Sequence, residues 1–158
     1  MFIPLIPENF QAPPEYKTDN FTIRKLCYSD AKLDYEAVMS SIDIIKKTRG
    51  GAWPTPDLSF VDDQIDLAWH QREFENGTSF AYTVMSPDET ECLGCLYLYP
   101  AGFRDDSSKD GDVDVSFWVT QKAYNNGLYP KLYHALDLWL KTDWPFKKVA
   151  YTNREMPE

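Results

Sequence analysis

The stretch "DVDVSFWVTQKAYNNGLYPKLYHALDLWL", Asp112 to Leu140, decides the fold class of this sequence. It begins with alternating Asp and Val and becomes fully apolar at "FWV". That change is typical of a strand that is exposed at its start and buried on both faces at its end. The last part has the spacing of a helix with one apolar face, formed by Leu128, Leu132, Ala135, Leu136, Trp139 and Leu140. The stretch therefore predicts a helix lying on a sheet.

The turn between this strand and helix contains Asn125, Asn126 and Gly127. At such a junction the first N–H groups of the helix have no partner within it, and many proteins bind a phosphate there. The alternative is an ordinary connection in which Asn-Asn-Gly supplies a left-handed turn. The residues alone leave both interpretations open.

The same patterns continue on either side of this stretch. Strand patterns cover 21–27, 79–86, 91–100 and 146–153, and helix patterns cover 29–49 and 59–75. The predicted order is strand, helix, helix, strand, strand, strand, helix, strand. Residues 1–20 combine prolines with apolar side chains and are predicted to form an extended N-terminal arm packed on the body of the protein. Residues 21–158 are predicted to form one domain.

Composition and charge exclude several classes of partner. The net charge is -9 and the pI is near 4.7, which argues against nucleic acid or an anionic membrane as the main partner. We find neither an apolar stretch of membrane-spanning length nor a signal peptide. Three cysteines in such a chain predict reduced thiols and a cytoplasmic location.

Cys92 and Cys95 form a C-x-x-C within a predicted strand. Positions i and i+3 of a regular strand point to opposite faces, so the two sulfurs are not expected to share a metal or a disulfide. We predict no metal site.

Three of the strand patterns contain the strings "FTIRKL" at 21–26, "CLGCLYLYP" at 92–100 and "DVSFWV" at 114–119. These strings resemble the first, third and fourth strands of the GNAT superfamily, the acetyl-CoA-dependent N-acetyltransferases, and within it the branch that includes ribosomal-protein alanine acetyltransferases. The resemblance covers about residues 20–153. Within the family, the sequence most specifically resembles a short subgroup whose coenzyme A motif is degenerate. It implies an α/β (α+β) fold with a mixed, mostly antiparallel central sheet flanked by helices, truncated after the fifth strand.

The resemblance also implies how acetyl-CoA would bind. In the family, backbone groups of the fourth strand pair with the pantetheine arm, and the following loop presents N–H groups to the pyrophosphate. The matching positions are Trp118, Val119, Asn125, Asn126, Gly127 and Leu128.

Three positions depart from the family's motif. Tyr124 stands where the family has a basic or amide residue, and Tyr129 stands where a small residue lets the phosphate approach. Pro130 has no N–H to donate in the first helical turn. The sequence therefore predicts the scaffold of a phosphate site with altered chemistry.

Candidates for catalysis and acceptor binding come from neighbouring positions. Asp114 matches the acidic position before the family's Trp-Val pair and is the first candidate for the base that deprotonates an amine, with Asp112 as a weaker one. The alternative for both is an exposed polar strand start. An aromatic acceptor pocket is predicted from Trp53, Tyr97, Tyr99 and Trp118, with core packing as the alternative.

The remaining polar candidates are two histidines and two arginines. His70 and His134 lie opposite the apolar stripes of their predicted helices and are expected to face solvent. Arg24 and Arg49 could each contact a phosphate, with ordinary surface charge as the alternative.

Three functions are compatible with these observations. The first is an acetyl-CoA-dependent N-acetyltransferase that acts on an amine of a small molecule or a protein. The second is a GNAT-like binding or regulatory module without that chemistry. The third is a subunit completed by a partner, for example a homodimer formed through the exposed edge of the last strand, unless the N-terminal arm covers that edge.

Overall fold

A computed structural model describes residues 5–104 and 111–157 of the chain. Its sheet has six strands, β1 (Glu15–Lys17), β2 (Thr22–Lys25), β3 (Phe80–Met85), β4 (Cys92–Tyr99), β5 (Val113–Val119) and β6 (Val149–Tyr151), in that spatial order. The helices are α1 (Ala31–Met39), α2 (Ile42–Thr48), α3 (Phe60–Asn76), α4 (Gln121–Asn125) and α5 (Leu128–Asp143).

Neighbouring strands run antiparallel from β1 to β5, and β6 runs parallel to β5. The parallel pair follows from the helical crossover, because α5 returns the chain to the end of the sheet at which β5 begins. The predicted mixed, mostly antiparallel sheet with flanking helices is therefore confirmed.

The two faces of the sheet pack against different helices. The odd-numbered positions of β5, from Val113 to Val119, lie in one core cluster with α5, where Leu132, Leu136 and Leu140 are fully buried. The apolar face predicted for this helix is confirmed, with Ala135 half-buried at its margin. Trp118 lies on the opposite face, in a second cluster with residues of α1, α2 and α3.

The N-terminal arm supplies a strand that the sequence did not predict. Tyr16 in β1 pairs with Ile23, and its ring stacks on Trp139 at 5.5 Å between centroids. Leu5 is buried in the same core. Three residues are too few for a period of two to be recognised, which is why β1 was missed. Residues 5–20 of the arm supply β1 beside β2 and form no strand pairing with β6, against one of our alternatives.

A bulge in β4 overturns the prediction for the two cysteines. Val84 pairs with Gly94, but the next residue of β3, Met85, pairs with Cys92, so Leu93 is extra. The extra residue reverses the alternation, and both Cys92 and Cys95 lie in the cluster beneath α1. Both thiols are free and fully buried, and burial raises the pKa of Cys92 to about 12.

The buried face of α3 also differs from expectation. Asp63 and Leu67 are buried, whereas Ile65 and Trp69 are at least half exposed. His70 follows Leu67 by three residues and lies on the same face, half-buried against the sheet. The prediction that His70 faces solvent was wrong, because a buried Asp made the inner face look polar. His134 is exposed, as predicted.

Candidate functional site

The parallel pairing of β5 and β6 stops near the middle of β5. Val115 pairs with Tyr151, and the Thr152 N–H donates to the Val115 carbonyl at 2.9 Å. One step further, the side chain of Asn153 replaces the backbone: its Oδ1 accepts from the Phe117 N–H at 3.0 Å and its Nδ2 donates to the Phe117 carbonyl at 2.9 Å. A primary amide thus fills the place where a strand would continue.

Val119 lies two residues beyond Phe117, so its N–H and carbonyl point the same way, toward the gap beyond β6. We find no hydrogen bond to these two groups from any residue in 5–104 or 111–157 beyond the sheet. The gap between the diverging strands is thus bordered by an open stretch of β5 backbone.

The ring of Tyr129 closes this gap from the α5 side. It is 3% exposed and lies 5.2 Å from the ring of Phe117. Its hydroxyl accepts from Asn153 Nδ2 at 2.7 Å and donates to the Glu155 carbonyl at 2.5 Å. Tyr129, which stands where the family has a small residue, therefore forms one wall of the gap.

Residues 152–157, which we call the closing segment, form the outer wall. The Arg154 N–H donates to the Arg49 carbonyl at 3.2 Å, and the Glu155 N–H donates to the Thr48 carbonyl at 3.0 Å. These bonds tie the closing segment to the end of α2. A cleft of about 350 Å³ remains outside it, lined by Tyr124, Tyr129, Pro130, Glu155, Met156 and Pro157.

The turn before α5 has fewer free donors than the sequence suggested. The Asn126 N–H bonds to carbonyls of α4, and the Gly127 N–H donates to the Tyr124 carbonyl at 3.0 Å. Gly127 has φ +83°, so it supplies the left-handed turn. Leu128 and Tyr129 carry the first N–H groups of α5, which have no partner inside the helix, and Pro130 carries none.

The two predicted carboxylates have different surroundings. Asp114 is fully buried; its Oδ2 accepts from the Arg104 N–H at 2.9 Å and its Oδ1 accepts from the Thr152 hydroxyl at 3.0 Å. Asp114 is therefore no exposed strand start. Asp112 is exposed and accepts the N–H groups of the two lysines before β6, Lys147 and Lys148, which lowers its pKa. Its role in this structure is to hold that turn.

The predicted aromatic residues do come together, on the sheet face that carries α3. Tyr97 and Tyr99 stack at 5.9 Å, and Phe103 stacks on Tyr99 at 4.4 Å. The Tyr97 hydroxyl accepts from Trp118 Nε1 at 2.9 Å, and Trp53 lies 6.4 Å from Trp118. Only Phe103 is largely exposed, so the row is buried at one end and open at the other.

Arg49 lies against this aromatic row. Its guanidinium carbon is 4.2 Å from the centroid of Tyr97 and 5.9 Å from that of Trp53. Its Nε donates to the hydroxyl of the buried Ser116 at 3.1 Å. Arg24, the other arginine considered from the sequence, forms salt bridges with Asp30 and Glu89.

His70 borders the same row and was not predicted there. Its ring centroid is 5.5 Å from that of Tyr97, and its buried Nδ1 has no hydrogen-bond partner among the described residues. Burial is the main cause that lowers its pKa, so the imidazole is neutral at pH 7. The helical spacing of His70 from Leu67 and Asp63, at i−3 and i−7, was the signal that could have placed it on the inner face.

Comparisons with known proteins identify the fold. No protein-family model and no curated protein sequence matches the chain. Among solved structures, a ribosomal-protein-S5-alanine acetyltransferase from Vibrio fischeri matches with a TM-score of 0.58 and 12% identity, over 80% of this chain and 66% of that one. The microcin C7 self-immunity acetyltransferase MccE, in complex with acetyl-CoA and AMP, matches with a TM-score of 0.60 and 16% identity, over 82% of this chain and 68% of that one.

A third match is RimL, a ribosomal L7/L12 α-N-protein acetyltransferase in complex with coenzyme A, with a TM-score of 0.59 and 11% identity, over 80% of this chain and 68% of that one. The chain therefore has the GNAT fold, as the sequence resemblance implied. It spans about two thirds of the length of these structures.

Two features are absent from the residues that the structure describes, a metal-binding cluster of side chains and a membrane-spanning helix. We find no group of three or more His, Cys, Asp or Glu side chains that could hold a metal ion. We also find no helix in the same part of the chain with the length and apolar character needed to cross a membrane.

Proposed function

We propose that this chain is an acetyl-CoA-dependent N-acyltransferase that acts on an amine of a small molecule or a protein. The observation that carries the proposal is the Phe117 backbone, whose N–H and carbonyl both bind an amide, that of Asn153. A pantetheine arm presents amide donors and acceptors of the same kind. Its place would be along the edge of β5 from Phe117 to Val119.

The fit requires one local change. Asn153 now occupies the Phe117 groups, and the ring of Tyr129 stands beside it. Rotation of the Asn153 side chain would free Phe117, and its amide could then bond to the ligand. The Leu128 and Tyr129 N–H groups would face the pyrophosphate, while the carboxylate of Glu155 at the cleft opposes it. We therefore expect weaker coenzyme A binding than an unobstructed motif would give.

The acceptor amine must lose a proton before it attacks, and the aromatic face offers two groups for this step. His70 is neutral, so it can accept the proton directly or through water. Asp114 is the alternative, although its oxygens already accept two hydrogen bonds. When the acyl donor is bound, the amine nitrogen would attack the acyl carbon and the thiolate of coenzyme A would leave, as in the chemistry of the family. We place this activity in the cytoplasm, where the free thiols stay reduced.

The proposal is tested by calorimetric titration of the purified protein with acetyl-CoA and, separately, with desulfo-CoA. We expect saturable one-to-one binding of both ligands, because the contacts in question do not involve the sulfur. A folded protein that gives no heat of binding at millimolar ligand would overturn the enzyme proposal. If acetyl-CoA does bind, release of free thiol in the presence of amine mixtures would identify the acceptor.

A non-catalytic binding module is the second candidate. It is favoured by the mutual contacts of Asn153, Tyr129 and Glu155, which together fill the gap between β5 and β6. This candidate predicts that the gap stays closed to acyl-CoA while the aromatic face still binds a ligand. A homodimer through the edge of β6 is compatible with either candidate, and sedimentation at micromolar concentration would detect it.

A further inference from the structure

We infer that the aromatic face binds an oxyanion, a carboxylate or a phosphate, through the guanidinium of Arg49, and that the acceptor is an amine which carries such a group. The second half of this inference rests on the proposed function. The first half concerns binding alone and can be tested without any acyl donor.

The guanidinium of Arg49 is fixed in position before any ligand arrives. Arg49 follows the last residue of α2, its Nε donates to Ser116 Oγ, and its plane lies over the ring of Tyr97. Ser116 is fully buried in β5, so this anchor is rigid. Such fixing removes most of the entropy that a flexible arginine loses on binding.

Two donor atoms of this guanidinium remain available. The only described hydrogen bond from the side chain uses Nε, and no described residue accepts from Nη1 or Nη2. These two nitrogens are the ones that bind carboxylate and phosphate oxygens in a bidentate manner. Arg49 is half-buried, and neither Nη1 nor Nη2 is among the fully buried polar atoms without a partner.

Two arginines, Arg49 and Arg104, lie together here in a protein whose net charge is -9, with the carboxylate of Asp114 accepting from the Arg104 N–H. No salt bridge joins Arg49 or Arg104 to a carboxylate within the described residues, whereas Arg24 has two. Arg104 lies beside Arg49, with its guanidinium donating to the Arg49 and Gly50 carbonyls at 3.4 and 3.1 Å. Burial and then the charge of Arg49 lower the pKa of Arg104, while the charge of Asp114 acts in the opposite direction.

The neighbouring rings add an apolar contact to this charge. The Trp53 ring centroid lies 5.9 Å from the guanidinium carbon, and the exposed Phe103 continues the stacked row from Tyr99. A ligand with a planar apolar part and an anionic group would contact both features. Purely structural stacking of Arg49 on Tyr97 is the competing explanation, and it predicts no preference among ligands.

The test compares matched probes in the full chain without acyl donor, using the tryptophan fluorescence of Trp53 and its neighbours. The probes are 4-aminobenzoate, aniline, which lacks only the carboxylate, and phenyl phosphate. We expect 4-aminobenzoate or phenyl phosphate to bind at least about tenfold more tightly than aniline, the equivalent of one charge-assisted hydrogen bond. Which of the two binds more tightly distinguishes carboxylate from phosphate.

Variants separate a specific site from general attraction. Arg49→Met should reduce anion affinity to that of aniline, and Arg49→Lys should retain part of it, because a lysine keeps the charge but not the bidentate geometry. Arg72→Met removes the same charge from an exposed position of α3 and should leave the preference unchanged. Thermal melting of each variant shows that it is folded.

Any of three results overturns the inference. The first is equal affinity for 4-aminobenzoate and aniline, and the second is unchanged anion affinity in a folded Arg49→Met. The third is no binding of any probe at a concentration of about 10 mM, which is far above the dissociation constant expected of a charge-assisted site. Failure of acetyl-CoA binding in the earlier titration would leave an observed anion preference intact. Conversely, acetyl-CoA binding without anion preference would reject this inference and keep the proposed function.

Discussion

Asn153 satisfies both backbone groups of Phe117 with one side-chain amide, accepting from the N–H at 3.0 Å and donating to the carbonyl at 2.9 Å. The two residues are 36 positions apart in the sequence. The same amide nitrogen donates to the Tyr129 hydroxyl at 2.7 Å, so a single side chain connects β5, α5 and the closing segment. Its replacement should therefore change stability and ligand access together.

Asn153→Ala should lower the free energy of unfolding by about 2–3 kcal/mol, because buried groups of Phe117 lose their partners. It should also tighten acetyl-CoA binding by about tenfold, since the ligand no longer competes with the side chain. Chemical denaturation and calorimetry measure the two effects. If affinity falls while the protein remains folded, Asn153 is a ligand contact and does not block the site.

Tyr129→Ala should widen the gap at the cost of about 3–5 kcal/mol of stability, the range for truncating a buried aromatic residue. Tyr129→Phe is the matched control, because it keeps the ring and removes only the hydroxyl bonds to Asn153 and Glu155. We expect the alanine variant to bind acetyl-CoA more tightly than the phenylalanine variant. Equal affinities would show that the ring does not occupy the ligand's path.

His70→Ala should reduce acyl transfer by about 10²–10⁴-fold if His70 is the base, with little change in acetyl-CoA affinity. Because the pKa of His70 is lowered, the wild-type rate should hold to a lower pH than an ordinary histidine permits. The comparison variant is His134→Ala, which alters an exposed histidine and should have no effect. Full activity in His70→Ala would assign the proton transfer to Asp114 or to water.

Asp34 gives a prediction about stability and pH. It is 3% exposed, and burial together with the neighbouring charge of Asp63 raises its pKa well above the usual value of 3.8. A carboxyl whose pKa is higher in the folded state stabilises the protein at low pH. That contribution is lost as pH rises from about 4 toward the folded-state pKa, because the unfolded chain then binds fewer protons.

Asp34→Asn should flatten this decline and increase stability at pH 7 by an amount on the order of 1 kcal/mol. Urea denaturation from about pH 4, near the ordinary carboxyl pKa, to about pH 8 provides the measurement. Asp19→Asn removes an equal charge from an exposed turn and should leave the slope unchanged. A wild-type stability that rises with pH across this window would contradict the prediction.

The elements that the sequence predicted well are those with long, regular patterns. The apolar stripe of α5 repeats over several turns, and β5 changes from alternating to fully apolar, so neither depends on distant residues. Short or irregular elements were missed for the opposite reason: β1 has three residues, α4 has five, and the bulge at Leu93 is visible only in the pairing with β3.

The site depended even more on contacts between distant residues. Gly127 was found because a left-handed turn has a local signature. Asn153 and Arg49 were not assigned their contacts, since an amide and a guanidinium have many surface uses and nothing local shows that Phe117 or Tyr97 lies against them. His70 was misplaced because burial of Asp63 on α3 depends on the sheet that packs against it.

The bond between Asn153 and the Phe117 N–H also has a kinetic consequence. Where β6 covers β5, as at Val115, an amide proton can exchange with solvent only when the two strands separate, which is a slow, cooperative event in a protein core. At Phe117 the acceptor of the amide proton is one side chain, so this hydrogen bond can break by side-chain rotation without the separation of two strands. In the protein without ligand, the exchange rate of this single proton therefore reports how often the gap beside β5 opens.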